Sequence, residues 1–98
     1  MKNVMLDLET MGKGHRAAIV TIGAVFFDPM TGELGAEFEA HIDLRDSARF
    51  GDIDPDTVLW WLGQSDEARA TIAYNVDGEK RMALLQALQK FCSPRPRG

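Results

Sequence analysis

Val4-Met5-Leu6-Asp7-Leu8 and Ala17-Ala18-Ile19-Val20-Thr21-Ile22-Gly23-Ala24-Val25-Phe26-Phe27 are almost unbroken apolar runs in a 98-residue chain. Runs of this kind, rich in β-branched and aromatic residues, predict strands buried on both faces in the middle of a sheet. After them Asp28-Pro29-Met30-Thr31-Gly32-Glu33 combines Pro and Gly as a turn does. Phe38, Ala40 and Ile42 then alternate with Glu37, Glu39, His41 and Asp43, the period of a strand with one wet face, suited to a sheet edge.

From Leu44 the period changes. Asp54-Pro55 supplies an N-cap and a proline at the first helical position, and Gly63 supplies a stop. Between them Val58, Leu59 and Leu62 are expected to form one apolar face, flanked by Trp60 and Trp61. Ser65 can cap a second short helix through Asp66, Glu67, Ala68 and Ile72, and Tyr74-Asn75-Val76-Asp77-Gly78 reads as the break after it. Leu84, Leu85, Leu88, Phe91 and Cys92 predict a final helix with a core-facing stripe, which would make Cys92 a buried apolar residue. Ser93-Pro94-Arg95-Pro96-Arg97-Gly98 reads as a disordered basic tail, so residues 1–92 form the expected folded part. The fold class is α/β: three antiparallel strands followed by three helices.

Composition narrows the functional classes. Apolar residues make up 45% and charged residues 27%, a globular balance, and no apolar run is long enough to span a bilayer. Asp7 interrupts what would have to be the apolar part of a signal peptide, which points to a cytoplasmic protein. One cysteine excludes an internal disulfide and a cysteine-rich zinc site. A net charge of −4 gives no broad basic footprint, so a nucleic-acid substrate would have to be met by metal ions and local cations.

The chemistry concentrates at Asp7 and Glu9. Residues two apart on a strand point to one face with Cα atoms ~6.6 Å apart, which sets two carboxylates side by side. Like charges so placed repel unless a cation lies between them, and hard ions such as Mg²⁺ or Mn²⁺ prefer oxygen ligands. A pair of such ions about 4 Å apart can activate water and stabilise the leaving oxygen in phosphodiester cleavage. An Asp-x-Glu pair also arises where a strand simply reaches solvent. Against that, Asp7 lies within the apolar run, where an unpartnered carboxylate is costly to bury.

Met5-Leu6-Asp7-Leu8-Glu9-Thr10-Met11-Gly12 with Ile19 to Asp28 resembles the first motif region of DEDD-type 3′-5′ exonucleases. Together with Leu59-Trp60-Trp61-Leu62, Gln64-Ser65 and Glu67-Ala68-Arg69, it is most similar to the exodeoxyribonuclease VIII-like exonucleases of bacterial prophages. Three segments in order are far more specific than Asp-x-Glu alone. The resemblance implies a ribonuclease H-like fold and two-metal hydrolysis of DNA or RNA from a single-stranded or 3′ end, with Asp7 contacting both Mg²⁺ or Mn²⁺ ions and Glu9 one. It also implies that Thr10 and Met11 border the terminal nucleotide, although a loop packing on the sheet would look the same.

The family pattern further calls for a second Asp in an Asn-rich strand-to-helix segment, and a His or Tyr base near a final Asp. None of these is found after Cys92, so the chain is expected to be the N-terminal part of an exonuclease, weak or inactive alone. The alternative is a non-catalytic, prophage-derived interaction module. In the implied strand order the first strand keeps an open apolar edge, which predicts a homodimer or strand exchange through it.

Other candidates fall to plainer readings. His15 and His41 read as surface histidines. Asp52, Asp54 and Asp56 fail as a calcium loop because Thr57 and Gly63 occupy its glycine and glutamate positions. The Trp60-Trp61 pair reads as packing rather than a base-stacking platform, and Lys13 and Arg16 as solvated loop cations.

Overall fold

The computed structural model describes residues 3–73 and 81–92. The predicted break at residues 74–78 and the predicted tail at residues 93–98 lie outside them. A three-stranded antiparallel sheet comes first: β1 (Asn3–Thr10), β2 (Ile19–Phe27) and β3 (Leu34–His41), in the order β1-β2-β3. Four helices follow: α1 (Leu44–Ser47), α2 (Pro55–Leu62), α3 (Asp66–Ala73) and α4 (Leu84–Phe91). This is the expected α/β arrangement, consistent with part of a ribonuclease H-like fold, with the four-residue α1 as an addition that sequence periodicity did not reveal. Among the described residues no helix is long and apolar enough to cross a membrane.

β2 is the central strand, and it carries both cores. Ile22 joins Ala40, Ile42, Leu84 and Ala87, with Ile19, Phe38 and Met82 packed against them, so that α4 closes on the sheet. Val20 joins Met11, Ala18 and Trp61, with Leu44, Val58, Ala68 and Ile72 around them, so that α2 and α3 close on the end of β1 and the start of β2. A register shift separates the two sets. Glu9 faces Thr21 but Thr10 faces Ile19, which leaves Val20 as an extra residue in β2. A bulge of this kind bends the strand and re-aims its side chains.

Local chemistry sets the element ends as expected in most places. The β2–β3 turn is closed by Gly32 N–H donating to Asp28 O at 2.8 Å, with Gly32 at φ 75°, a conformation that favours glycine. Asp54 caps α2 by accepting from Thr57 N–H at 3.0 Å, with Pro55 in the first turn. Ser65 Oγ accepts from Ala68 N–H at the start of α3. The N-cap of α4, Ala83, has no capping side chain, and Asp46 of α1 takes over that role, accepting from Leu84 N–H at 2.7 Å.

Four expectations of burial are corrected. β1 is not buried on both faces: among the described residues it is an edge strand, exposed from Asn3 to Glu9, because no neighbour covers its outer side. In α2, Val58 and Trp61 turn inward at i and i+3. Leu59 and Leu62 each lie one residue further on, about 100° round the helix, and are exposed. α4 presents Leu84 and Ala87 to the core and Phe91 to the rings of Phe26 and Phe38, while Leu85, Leu88 and Cys92 stay exposed. Its apolar stripe is wider than the sheet surface that meets it. Finally, His41 is not a surface histidine: its side chain is only 14% exposed, at the end of β3 where Met82 N–H bonds its carbonyl.

The tryptophan pair divides as its helical spacing requires. Trp61 is buried and its indole N–H donates to Thr10 O at 3.1 Å, while Trp60 is 58% exposed and meets Trp61 edge-on. Replacing Trp61 with alanine is expected to cost about 3–5 kcal/mol of stability, as for other large-to-small core changes. Trp60→Ala should cost roughly 1 kcal/mol or less, and urea denaturation of the two variants would check the contrast.

Candidate metal-binding face

Asp7 and Glu9 lie on the same side of β1, and both are exposed. Asp7 is therefore not the buried carboxylate that its place in an apolar run predicts. The strand register instead gathers acids beside it. Met5, Asp7 and Glu9 face Val25, Gly23 and Thr21 of β2, which in turn face Glu37, Glu39 and His41 of β3. Directly opposed residues project to one side of a sheet, so Asp7, Glu9, Glu37 and Glu39 share a face.

Between Asp7 and Glu39 stands Gly23, where an added Cβ would meet only Asp7 O, at 3.7 Å. The missing side chain leaves a shallow depression of about 480 Å³ lined by Met5, Asp7, Gly23, Val25, Glu37 and Glu39, among others. Among the described residues, the side chains of Asp7, Glu9 and Glu37 make no hydrogen bond or ion pair, and Glu39 meets only His41 Nε2, at 3.6 Å. The face is a concentration of uncompensated negative charge, which draws cations.

As metal ligands, Asp7 and Glu9 fit in kind but not in number. Carboxylate oxygens suit Mg²⁺ or Mn²⁺, yet among the described residues no group of three or more His, Cys, Asp or Glu side chains converges closely enough to hold an ion. Glu37 and Glu39 share the face but stand two strands away.

The residues after the motif are fixed by the fold. Met11 is 4% exposed; its N–H donates to Ala18 O at 2.8 Å and its carbonyl accepts from Asp54 N–H at 2.9 Å. Thr10 is half-buried, with its hydroxyl donating to Gly12 O at 3.1 Å. The structure thus gives both residues an anchoring role. Gly51 packs so tightly on Ala18 that a Cβ there would lie 2.7 Å from its Cα, which keeps the segment before α2 against the start of β2.

The nearby charges are already paired. Lys13 meets Asp56 at 3.3 Å and Asp54 at 3.7 Å, and Arg16 meets Asp52 at 3.7 Å. The hydrogen bond to Asp56, followed by the charge of Asp54, pushes the Lys13 ammonium above its ordinary value. The three aspartates of the rejected calcium loop thus all meet surface cations, Asp54 and Asp56 sharing Lys13, and Asp54 also caps α2. Sequence reading missed Thr21, Gly23, Glu37 and Glu39 as members of this face, because only the strand register reveals them.

The cap at Asp54 carries a pH dependence. The Thr57 N–H, then the Thr57 hydroxyl, then Lys13 hold the Asp54 carboxyl below the usual carboxylate range. A depressed carboxyl contributes its full stability above its unfolded value and loses it as pH falls through the folded one, so the effect should begin to fade below about pH 4 and be gone only beneath the folded value. In urea denaturation from pH 6 to pH 3, the stability gap between the wild type and Asp54→Asn is expected to hold down to about pH 4 and to narrow below it.

Comparison with known proteins adds a family to this geometry. The 3′-5′ exoribonuclease Rv2179c-like domain matches residues 2–97. The chain is also 28% identical over 99 residues to the exodeoxyribonuclease of Enterobacteria phage T4, a match covering 93% of this chain and 42% of that relative. The chain therefore spans less than half the length of the curated relative it matches. No solved structure matches it.

Proposed function

The chain belongs to the 3′-5′ exoribonuclease Rv2179c-like domain family, and we propose that Asp7 and Glu9 are its share of a metal-dependent exonuclease site of the DEDD type. The observation that carries this is the pair of exposed carboxylates on one face of β1, which meet no cation among the described residues, beside a depression opened by Gly23. Asp7 would reach two ions and Glu9 one. When bound, Mg²⁺ or Mn²⁺ supplies the positive charge and the means of activating water that phosphodiester cleavage requires.

The chain's own part is to hold the two carboxylates at a fixed spacing and to border the scissile end. β1 fixes the spacing through its register with β2. Thr10, next after Glu9, borders the terminal nucleotide, and Met11 forms the floor beneath it. The substrate is a nucleic acid with a 3′ end; the family description points to RNA, and the relative's name to DNA. Two acids make an incomplete ligand set, so these 98 residues alone should turn over weakly or not at all, acting in the cytoplasm with the remaining acids supplied from elsewhere.

The test is Mn²⁺-dependent release of mononucleotides from single-stranded and duplex DNA and RNA, with Asp7→Ala as control. Trace release at most is expected from the pure chain. Robust Asp7-dependent release by the pure chain would overturn the incomplete site, and release appearing only on mixing with a second chain would show that the acids come in trans.

A second reading, an interaction module, rests on the edge of β1. Val4, Leu6 and Leu8 are 41%, 53% and 42% exposed beside a row of backbone groups that no described strand pairs. Such an edge invites a second copy. Sedimentation velocity is expected to show a concentration-dependent dimer that Leu6→Lys weakens; a compact monomer at high concentration would count against it.

A further inference from the structure

We propose that the cleft between the start of β2 and α1 binds a pyrimidine nucleotide. The ring sits between Ile19 and Leu84 with its polar edge toward the Ser47 hydroxyl, and the phosphate meets Arg16 and His15. The inference rests on the nucleic-acid chemistry of the family and is independent of any metal at Asp7 and Glu9.

The cleft encloses about 150 Å³ and is lined by His15, Arg16, Ile19, Ser47, Phe50 and Leu84, among others. A cavity of about that volume takes one six-membered aromatic ring. Its walls are held in place by backbone bonds. Ala18 N–H donates to Asp52 O at 2.8 Å, Asp52 N–H to Arg16 O at 2.6 Å, and Gly51 N–H to Ser47 O at 3.1 Å. Ile19 and Leu84 belong to the core that α4 closes. Ile22 of that core pairs with Leu8, whose neighbours Asp7 and Glu9 point the other way, so the cleft lies on the side of the sheet opposite the acids.

Ser47 marks the closed end. It is fully buried, and its hydroxyl oxygen has no hydrogen-bond partner among the described residues. Alanine would spare the cost of an unpaired hydroxyl and suit the helix better, so the serine calls for a polar ligand. Phe50, three residues on and 51% exposed, turns outward to let the ring edge reach it. The mouth is cationic. Arg16 meets Asp52 only at 3.7 Å, with side chains 77% and 69% exposed, a pair weak enough for a phosphate to displace. His15 beside it makes no hydrogen bond or ion pair among the described residues. Apolar walls, a buried hydroxyl at the closed end and cations at the mouth match a base that carries a phosphate, and the volume suits one ring better than the two of a purine.

The experiment is an NMR titration of the full chain in EDTA with 5′-CMP, cytidine, 5′-AMP and a cytidine tetranucleotide, following the amides of Ala17, Ala18, Ser47 and Gly51. CMP is expected to give saturable shifts there, about tenfold tighter than cytidine, which lacks the phosphate, and tighter than AMP. Arg16→Gln, an exposed change, should bring CMP down to the affinity of cytidine. Ser47→Ala should weaken CMP and cytidine alike, by about tenfold. Shifts with both CMP and the tetranucleotide would support the cleft as an anchor for a strand, and shifts with CMP alone would support it as a site for the released nucleotide. No shift at these amides with CMP, AMP binding as tightly as CMP, or wild-type CMP affinity in either Arg16→Gln or Ser47→Ala would overturn the site. Since no divalent ion is present, none of these outcomes bears on Asp7 and Glu9 as ligands.

Discussion

The end of β1 is tied from three directions, and the placement of the acids depends on that tie. The Trp61 indole holds the Thr10 carbonyl, Ala18 O holds the Met11 N–H, and the Asp54 N–H holds the Met11 carbonyl. The start of β2 and the two ends of α2 thus converge on two consecutive residues. Glu9 is the residue before them and Asp7 lies two further back, so neither acid can drift along the strand without breaking buried hydrogen bonds. Each such bond contributes about 1 kcal/mol net but costs more when one partner is left unsatisfied, which makes the tie cooperative with the core around Val20 and Trp61. The acids are exposed, and the clamp that places them is buried.

Much of this was legible in the residues. The alternation of Phe38, Ala40 and Ile42 named the inward face of β3 correctly, and Asp54-Pro55 and Ser65 marked helix starts where the structure has them. What remained hidden depends on distance in sequence. Residues 11–18 form a long connection between β1 and β2, so turn geometry could not give the pairing, and the extra residue at Val20 shifts it further. Without register, Glu37, Glu39, Thr21 and His41 could not be placed beside Asp7 and Glu9. The exposed faces of β1 and α4 were misjudged because apolar patterning reports which side chains suit a core, not whether a neighbour covers them. α1 was missed because four residues carry no readable period.

The distribution of charge separates two regions that composition merges. Around α1 and the start of α2, acids are matched to cations or spent on caps, as Asp43 with Arg45, Asp46 with Arg49 and Leu84, and Asp54 with Thr57 show. Exposed pairs of this kind add little stability. On the open face of the sheet the acids have no such cation among the described residues, beyond the contact of Glu39 with His41. The net charge of −4 is therefore unevenly spent, and a phosphodiester approaching that face meets repulsion unless a cation precedes it. The same feature that argues against direct nucleic-acid binding argues for metal-dependent binding.

The order β1-β2-β3 is a meander, in which each strand pairs with the next one made. Closing contacts between sequence neighbours costs little chain entropy, so such a sheet can assemble early and quickly, while the chain is still emerging during synthesis. The strand that carries both acids is then the first to be committed and, among the described residues, one left with an open side. Its outer row of N–H and C=O groups outlasts the assembly of the meander as a template, and the time it stays uncovered sets how long the molecule is exposed to mispairing.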